Sequence, residues 1–104
     1  MNLAEKSYRL VAVFPKNEMY ELSSQIRRAA VSVPSNIAGG YGRESPASYV
    51  QFLKIARCSL RELETQLLIA DRVGLADTSN IALVLEQCDL VARQLHGLIR
   101  SIPV

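Results

Sequence analysis

Apolar residues return every three or four positions along most of this chain, in four separate stretches. In residues 1–14, Leu3, Ser7, Leu10 and Phe14 share one face, with Ala4, Tyr8 and Val11 beside it. That spacing predicts a helix of about three to four turns, closed by Pro15 and Asn17. Leu22, Ile26, Ala29, Val33 and Ile37 continue at steps of four, three, four and four, one face of a second helix. Asn17 suits its N-cap, and Glu18 and Glu21 suit the positive end of its dipole. Tyr49, Leu53, Ala56, Leu60, Leu63, Leu67 and Ala70 alternate steps of four and three, a heptad seam that Phe52 widens at its start. Ser45-Pro46 opens this third helix with a capping hydroxyl and a proline whose missing donor costs nothing there. Gly74 stops it, with Arg72 in the last turn. The fourth seam is Ile81, Val84, Cys88, Val91, Leu95, Leu98 and Ile102, capped by Thr78 or Ser79 and stopped by Pro103. Short connections favour antiparallel neighbours. The pattern predicts an all-α chain, an antiparallel up-down-up-down four-helix bundle forming one domain over residues 1–104.

Two features of residues 25–43, QIRRAAVSVPSNIAGGYGR, modify that outline. Pro34 removes a backbone donor and crowds the preceding turn, so the second helix either stops near Ser32 or kinks. Apolar spacing continues to Ile37 on the same face, which favours the kink, and Ser32 and Ser35 are placed to satisfy freed backbone groups. Gly39, Gly40 and Gly42 then predict a helix end near Ala38. They follow no strand and match neither phosphate-loop spacing, so a helix C-cap and tight turn outweighs a phosphate cradle.

Composition narrows the class. Hydrophobic residues make up 49% of the 104 and charged residues 21%, which excludes a disordered chain. Aromatic residues are 6% with no Trp, so the core is mainly aliphatic. Chains this short bury only part of their surface alone, which points to partner chains. A net charge of +2 neither requires nor excludes nucleic acid. Glu5, Lys6 and Arg9 interrupt the apolar positions at the start, against a signal peptide, and no run reaches the ~20 apolar residues of a membrane span. The expected location is the cytoplasm, with no membrane partner. Cys58 and Cys88 have no close Cys or His companions in sequence, so the expectation is buried small hydrophobes rather than a disulfide or metal site.

The signature QIRRAAVSVPSNIA, the following YGRES and the run FLKIARCSLRELETQLLIA over residues 52–70 resemble the four-helix bundle protein family encoded in ribosomal RNA intervening sequences. The resemblance extends over nearly the whole chain. It implies small bundles that assemble as homopentamers, related to the accessory variability determinant proteins of retroelements, which are basic pentamers that bind nucleic acid and a reverse transcriptase. Family members commonly begin with more residues, which implies a first helix short at its free end. The family usually carries a glutamate where this chain has Gly39, and often a glycine where it has Cys58.

Few residues of the chain are placed for catalysis. His96 is the only histidine, with no paired nucleophile in sequence. Glu62 and Glu64 point to different helix faces and cannot act as an acid–base pair. Di-iron bundles need a Glu-x-x-His motif from each of two helices, and the chain has none. The expectation is a protein that is not an enzyme and takes no cofactor and no metal. The basic residues say more: Lys54, Arg57 and Arg61 form a stripe on the third helix, Arg27 and Arg28 lie on the second, and Arg43 in the loop between. In a ring each positive patch is repeated, so these six are the candidate nucleic-acid-binding residues; the competing reading is a solvated face paired with Glu44, Glu62 and Glu64. Val50, Ile55, Cys58 and Ile69 on the third helix, and Leu83, Leu85, Leu90 and Ile99 on the fourth, lie outside the seams. They are the candidate oligomer interface, against a wide core stripe as the alternative. The leading function is a non-catalytic oligomer, a pentamer by resemblance, that binds RNA or DNA through basic faces as an accessory to a nucleoprotein complex, with a reverse transcriptase as the kind of partner protein. The alternative is a structural or protein-interaction ring without nucleic acid.

Overall fold

The structure, a computed structural model, describes residues 2–15 and 20–104. Helices α1 (Asn2–Ala12), α2 (Tyr20–Tyr41), α3 (Pro46–Arg72) and α4 (Thr78–Ser101) follow in order, with no strand among the described residues. Asn17 and Glu18, the expected start of α2, lie outside the described residues.

Local chemistry sets most helix ends. Ser45 Oγ accepts the Ser48 N–H at 3.3 Å, and Pro46 occupies the first turn of α3. At the other end Gly74 takes a φ of +73°, its N–H donates to the Asp71 carbonyl, and the Leu75 N–H donates back to Ala70. That paired closure is the Schellman arrangement, and Leu75 is buried beneath it. Helix α4 starts differently from expectation. Asp77 is its N-cap and makes no side-chain capping bond, while the Thr78 hydroxyl donates to Asp71 Oδ1 at 2.7 Å, tying the start of α4 to the end of α3.

Helix α2 also departs from its expected end. It runs through Pro34 without stopping, and through Gly39 and Gly40 to Tyr41. The glycines serve packing rather than termination. A Cβ on Gly40 would lie 2.6 Å from Phe52 Cβ and 3.0 Å from the Tyr49 ring, so only glycine lets α2 approach α3 this closely. Gly42 keeps a negative φ, and Gly74 alone among the described glycines is left-handed. Near the proline, the Ser32 and Ser59 hydroxyls share a 2.8 Å hydrogen bond across α2 and α3, and the Asn36 amide donates to both the carbonyl and the hydroxyl of Ser32.

The contacts fix the topology. Ser32 meets Ser59 while Gly40, further along α2, meets Tyr49 and Phe52, further back on α3, so these helices are antiparallel. Thr78 meets Asp71 while Arg57 shares a groove with His96, so α3 and α4 are antiparallel too. Helix α1 packs on α2 and α4, closing a ring of four neighbours. All four helices feed one core. Leu53, Ala56, Leu60, Leu63, Leu67 and Ala70 are fully buried, with Ile81, Val84, Cys88 and Leu95 facing them from α4. Val91, Leu98 and Ile102 are only partly buried. Burial of six α3 side chains along some five turns explains why a 27-residue helix of about 40 Å stands as the spine of a body 45 Å long. Ser7 joins the core from α1 with its hydroxyl buried and unbonded.

Candidate nucleic-acid interface

The α3 seam leaves its α4-facing flank to polar side chains. Arg57 and Arg61 sit there, one turn apart. On α4 the matching flank carries Asp89, Arg93 and His96, each just off the buried seam of Cys88 and Leu95. Antiparallel packing brings the two sets opposite each other across a groove of about 570 Å³. Ala92 is half-buried against the core while Asp89, Arg93 and His96 around it are exposed, so its small side chain forms the floor.

Two of the three arginines already hold carboxylates. Arg61 pairs with Glu64 at 3.2 Å and Arg93 with Asp89 at 3.3 Å, each along its own helix. Both arginines are well exposed, so each pair contributes ~0–1 kcal/mol and exchanges readily. Arg57 is half-buried and, among the described residues, has no carboxylate within ion-pair distance. Beneath the groove the chemistry is closed off. Cys88 is fully buried, and its thiol is pushed up to about 12 by burial first and by the nearby charge of Glu64 second.

Cys58, expected either as a buried small hydrophobe or as an interface residue, also lines this groove and is exposed, which overturns the first expectation alone. It therefore shares a groove with His96, which sequence spacing leaves without a nucleophile, but no hydrogen bond joins the two. Both cysteines are free. The described residues gather no group of three or more His, Cys, Asp or Glu able to hold a metal ion, and no described helix is long and apolar enough to cross a membrane.

The six basic residues that the sequence pattern marks do not form one face. Arg57 and Arg61 lie in the α3–α4 groove. Arg27 lies with Val11, Phe14 and Tyr20 at the α1–α2 edge. In a ring of four helices those edges are on opposite sides of the bundle. Arg28 and Lys54 are exposed on α2 and α3. Arg43 stands 4.6 Å over the Phe52 ring at the α2–α3 corner, beside the edge-to-face pair of Tyr41 and Tyr49. Arg93 carries no signal in the sequence pattern, because only the antiparallel pairing of α3 with α4 sets it opposite Arg61.

The off-seam apolar residues divide as well. Ile55 and Ile69 are exposed on α3, and Leu83 and Leu90 on α4 beside α1. Leu68, which the seam spacing does not mark, is exposed with them at 52%. Val50 is instead buried within the chain at 6% exposure, leaving it little surface for a neighbour. Leu85 and Ile99 pack against the core as the wide-stripe alternative has it.

The profile of the 23S rRNA-intervening sequence protein family matches residues 1–97. Among solved structures, the chain is similar to a protein of unknown function from the S23 ribosomal protein family of Bacteroides thetaiotaomicron, at a TM-score of 0.77 and 22% identity, covering 93% of this chain and 97% of that one. That likeness bears on the fold alone. No curated protein is a significant match. A family match over nearly the whole length, on a four-helix fold shared with that relative, places this chain in the 23S rRNA-intervening sequence protein family.

Proposed function

We propose that this protein is a non-catalytic bundle, working as a closed cytoplasmic homo-oligomer of five subunits, that binds RNA or DNA through phosphate contacts as an accessory to a larger nucleoprotein complex. The observation that carries the reading is the convergence of Arg57 and Arg61 from α3 with Arg93 and His96 from α4 on one groove. With Glu64 on Arg61 and Asp89 on Arg93, three arginines and two carboxylates leave the groove net positive and attractive to polyanions, and repetition around a ring multiplies the field. The family name, which refers to 23S rRNA, and the relative's ribosomal family name are consistent with an RNA setting. Base reading is not part of the proposal, because arginines and a single imidazole supply phosphate contacts rather than stacking platforms. Binding is therefore sequence-tolerant and weakens steeply with salt, since each neutralised phosphate releases condensed counterions.

Titration of labelled structured RNA and duplex DNA at two salt concentrations tests this, comparing the wild type with Lys54→Glu/Arg57→Glu/Arg61→Glu. The expected result is salt-sensitive binding that the triple change removes. No binding even at low salt contradicts it. A second reading, an interaction ring without nucleic acid, is favoured by one specific feature: Arg61 and Arg93 are already paired with Glu64 and Asp89, as in a solvated face. The same titration separates the two.

A further inference from the structure

We infer that the α3–α4 groove is a discrete seat for one phosphate group of a flexible single-stranded nucleic acid, held over Ala92 with Arg57 as its principal ligand. This rests on the nucleic-acid reading above and assigns it a site, a strand class and a set of ligands. Arg57 is half-buried as a residue and, among the described residues, has no carboxylate within reach, so its guanidinium is the groove's cation left open to an incoming anion. Arg61 and Arg93 flank it as exposed arginines, each with one contact to a carboxylate of its own helix, which leaves further guanidinium donors open to an incoming phosphate. Guanidinium groups match phosphate oxygens in paired, charge-assisted hydrogen bonds, so cations from both walls can engage one group.

Shape adds the strand class. The cations stand on two facing helices around a recess of about 570 Å³ with a small alanine at its base. A flexible single strand can turn one phosphate into such a recess. A duplex carries its phosphates on the outside of a stiff convex cylinder and meets the rims instead. His96 lines the same groove and completes the α4 wall.

His96 is the only histidine of the chain, so its imidazole resonances report this groove without assignment of the rest. At constant pH and ionic strength, wild type would be titrated with inorganic phosphate, with a short single-stranded oligoribonucleotide, and with the same sequence as a duplex. The expected result is a saturable shift of the His96 signals with phosphate and, more tightly, with the single strand. Ala92→Leu fills the floor without changing charge and should weaken single-strand binding by about tenfold or more, the loss expected when charge-assisted hydrogen bonds are blocked. Unchanged helical content and melting would accompany that loss. Arg57→Gln is the second variant, leaving the floor intact, and should give a comparable loss. Wild-type behaviour in both variants overturns the seat, and salt-sensitive RNA binding would then persist as a property of the outer basic surface alone. A phosphate shift with no RNA binding keeps the seat and overturns the nucleic-acid class of its ligand. His96 signals that move on dilution without any anion overturn it as well, since a second copy of the chain would then occupy the groove.

Discussion

Gly40 shows how a single residue does different work from what its type suggests. Glycine lowers helix stability relative to alanine by ~0.8–1 kcal/mol in an exposed interior. Gly40→Ala should nevertheless destabilise the protein, because the new Cβ meets Phe52 Cβ, an atom fixed to the backbone, at 2.6 Å. Gly97→Ala should do the opposite, since a Cβ there meets nothing within 4 Å and the propensity gain is free. Opposite shifts in melting temperature check the pair; a gain from both would contradict the close approach of α2 and α3. For the cysteines, a thiol reagent at neutral pH should label Cys58 in the folded protein and reach Cys88 only in denaturant. Because the Cys88 proton is held more tightly folded than unfolded, its stabilising contribution is complete below 9.0 and declines as pH rises toward about 12. The loss of stability between pH ~8 and ~10.5 should therefore be steeper in wild type than in Cys88→Ala. Equal slopes would contradict the buried thiol.

At the scale of elements, the heptad seams of α3 and α4 make the bundle legible in the sequence itself, because a continuous apolar stripe can be satisfied only by facing helices. Leu60→Ala and Leu95→Ala should each cost about 2–5 kcal/mol in denaturant unfolding, and near-neutral results would mean the wrong faces are buried. Ser45→Ala should cost about 1 kcal/mol through its lost cap. The ends of α2 and α4 are less legible for a physical reason. Glycine and hydroxyl residues serve both as caps and as contact surfaces, and sequence spacing does not say which. Gly40 is used against Phe52, and Thr78 against Asp71. The candidate site is half legible. Arg57 and Arg61 follow from α3 alone, whereas Arg93 enters only through the antiparallel register of a second helix.

For the whole molecule, exposed apolar side chains remain after the core is closed. Ile55, Leu68 and Ile69 on α3 and Leu83 and Leu90 on α4 are each more than 40% exposed. A cyclic assembly would set one such stripe against a different patch of the next subunit. Light scattering should find an oligomer for wild type and a smaller species for Ile69→Glu with helicity retained; a wild-type monomer at micromolar concentration would contradict the assembly.

The placement of the basic residues on opposite edges lets binding in the α3–α4 groove be told apart from binding elsewhere on the surface. Arg57 and Arg93 face the α3–α4 groove, while Arg27 lies at the α1–α2 edge with Arg28 exposed on the same helix. The measurement is the dependence of RNA affinity on salt for Arg57→Glu/Arg93→Glu and for Arg27→Glu/Arg28→Glu, two variants with the same change in charge. Each phosphate contact contributes ~0.7 to the slope for a single strand. The groove variant should lose affinity and one to two contacts' worth of slope, about 0.7–1.4, while the opposite-edge variant stays close to wild type. Equal losses in both, or a loss only in Arg27→Glu/Arg28→Glu, would contradict it.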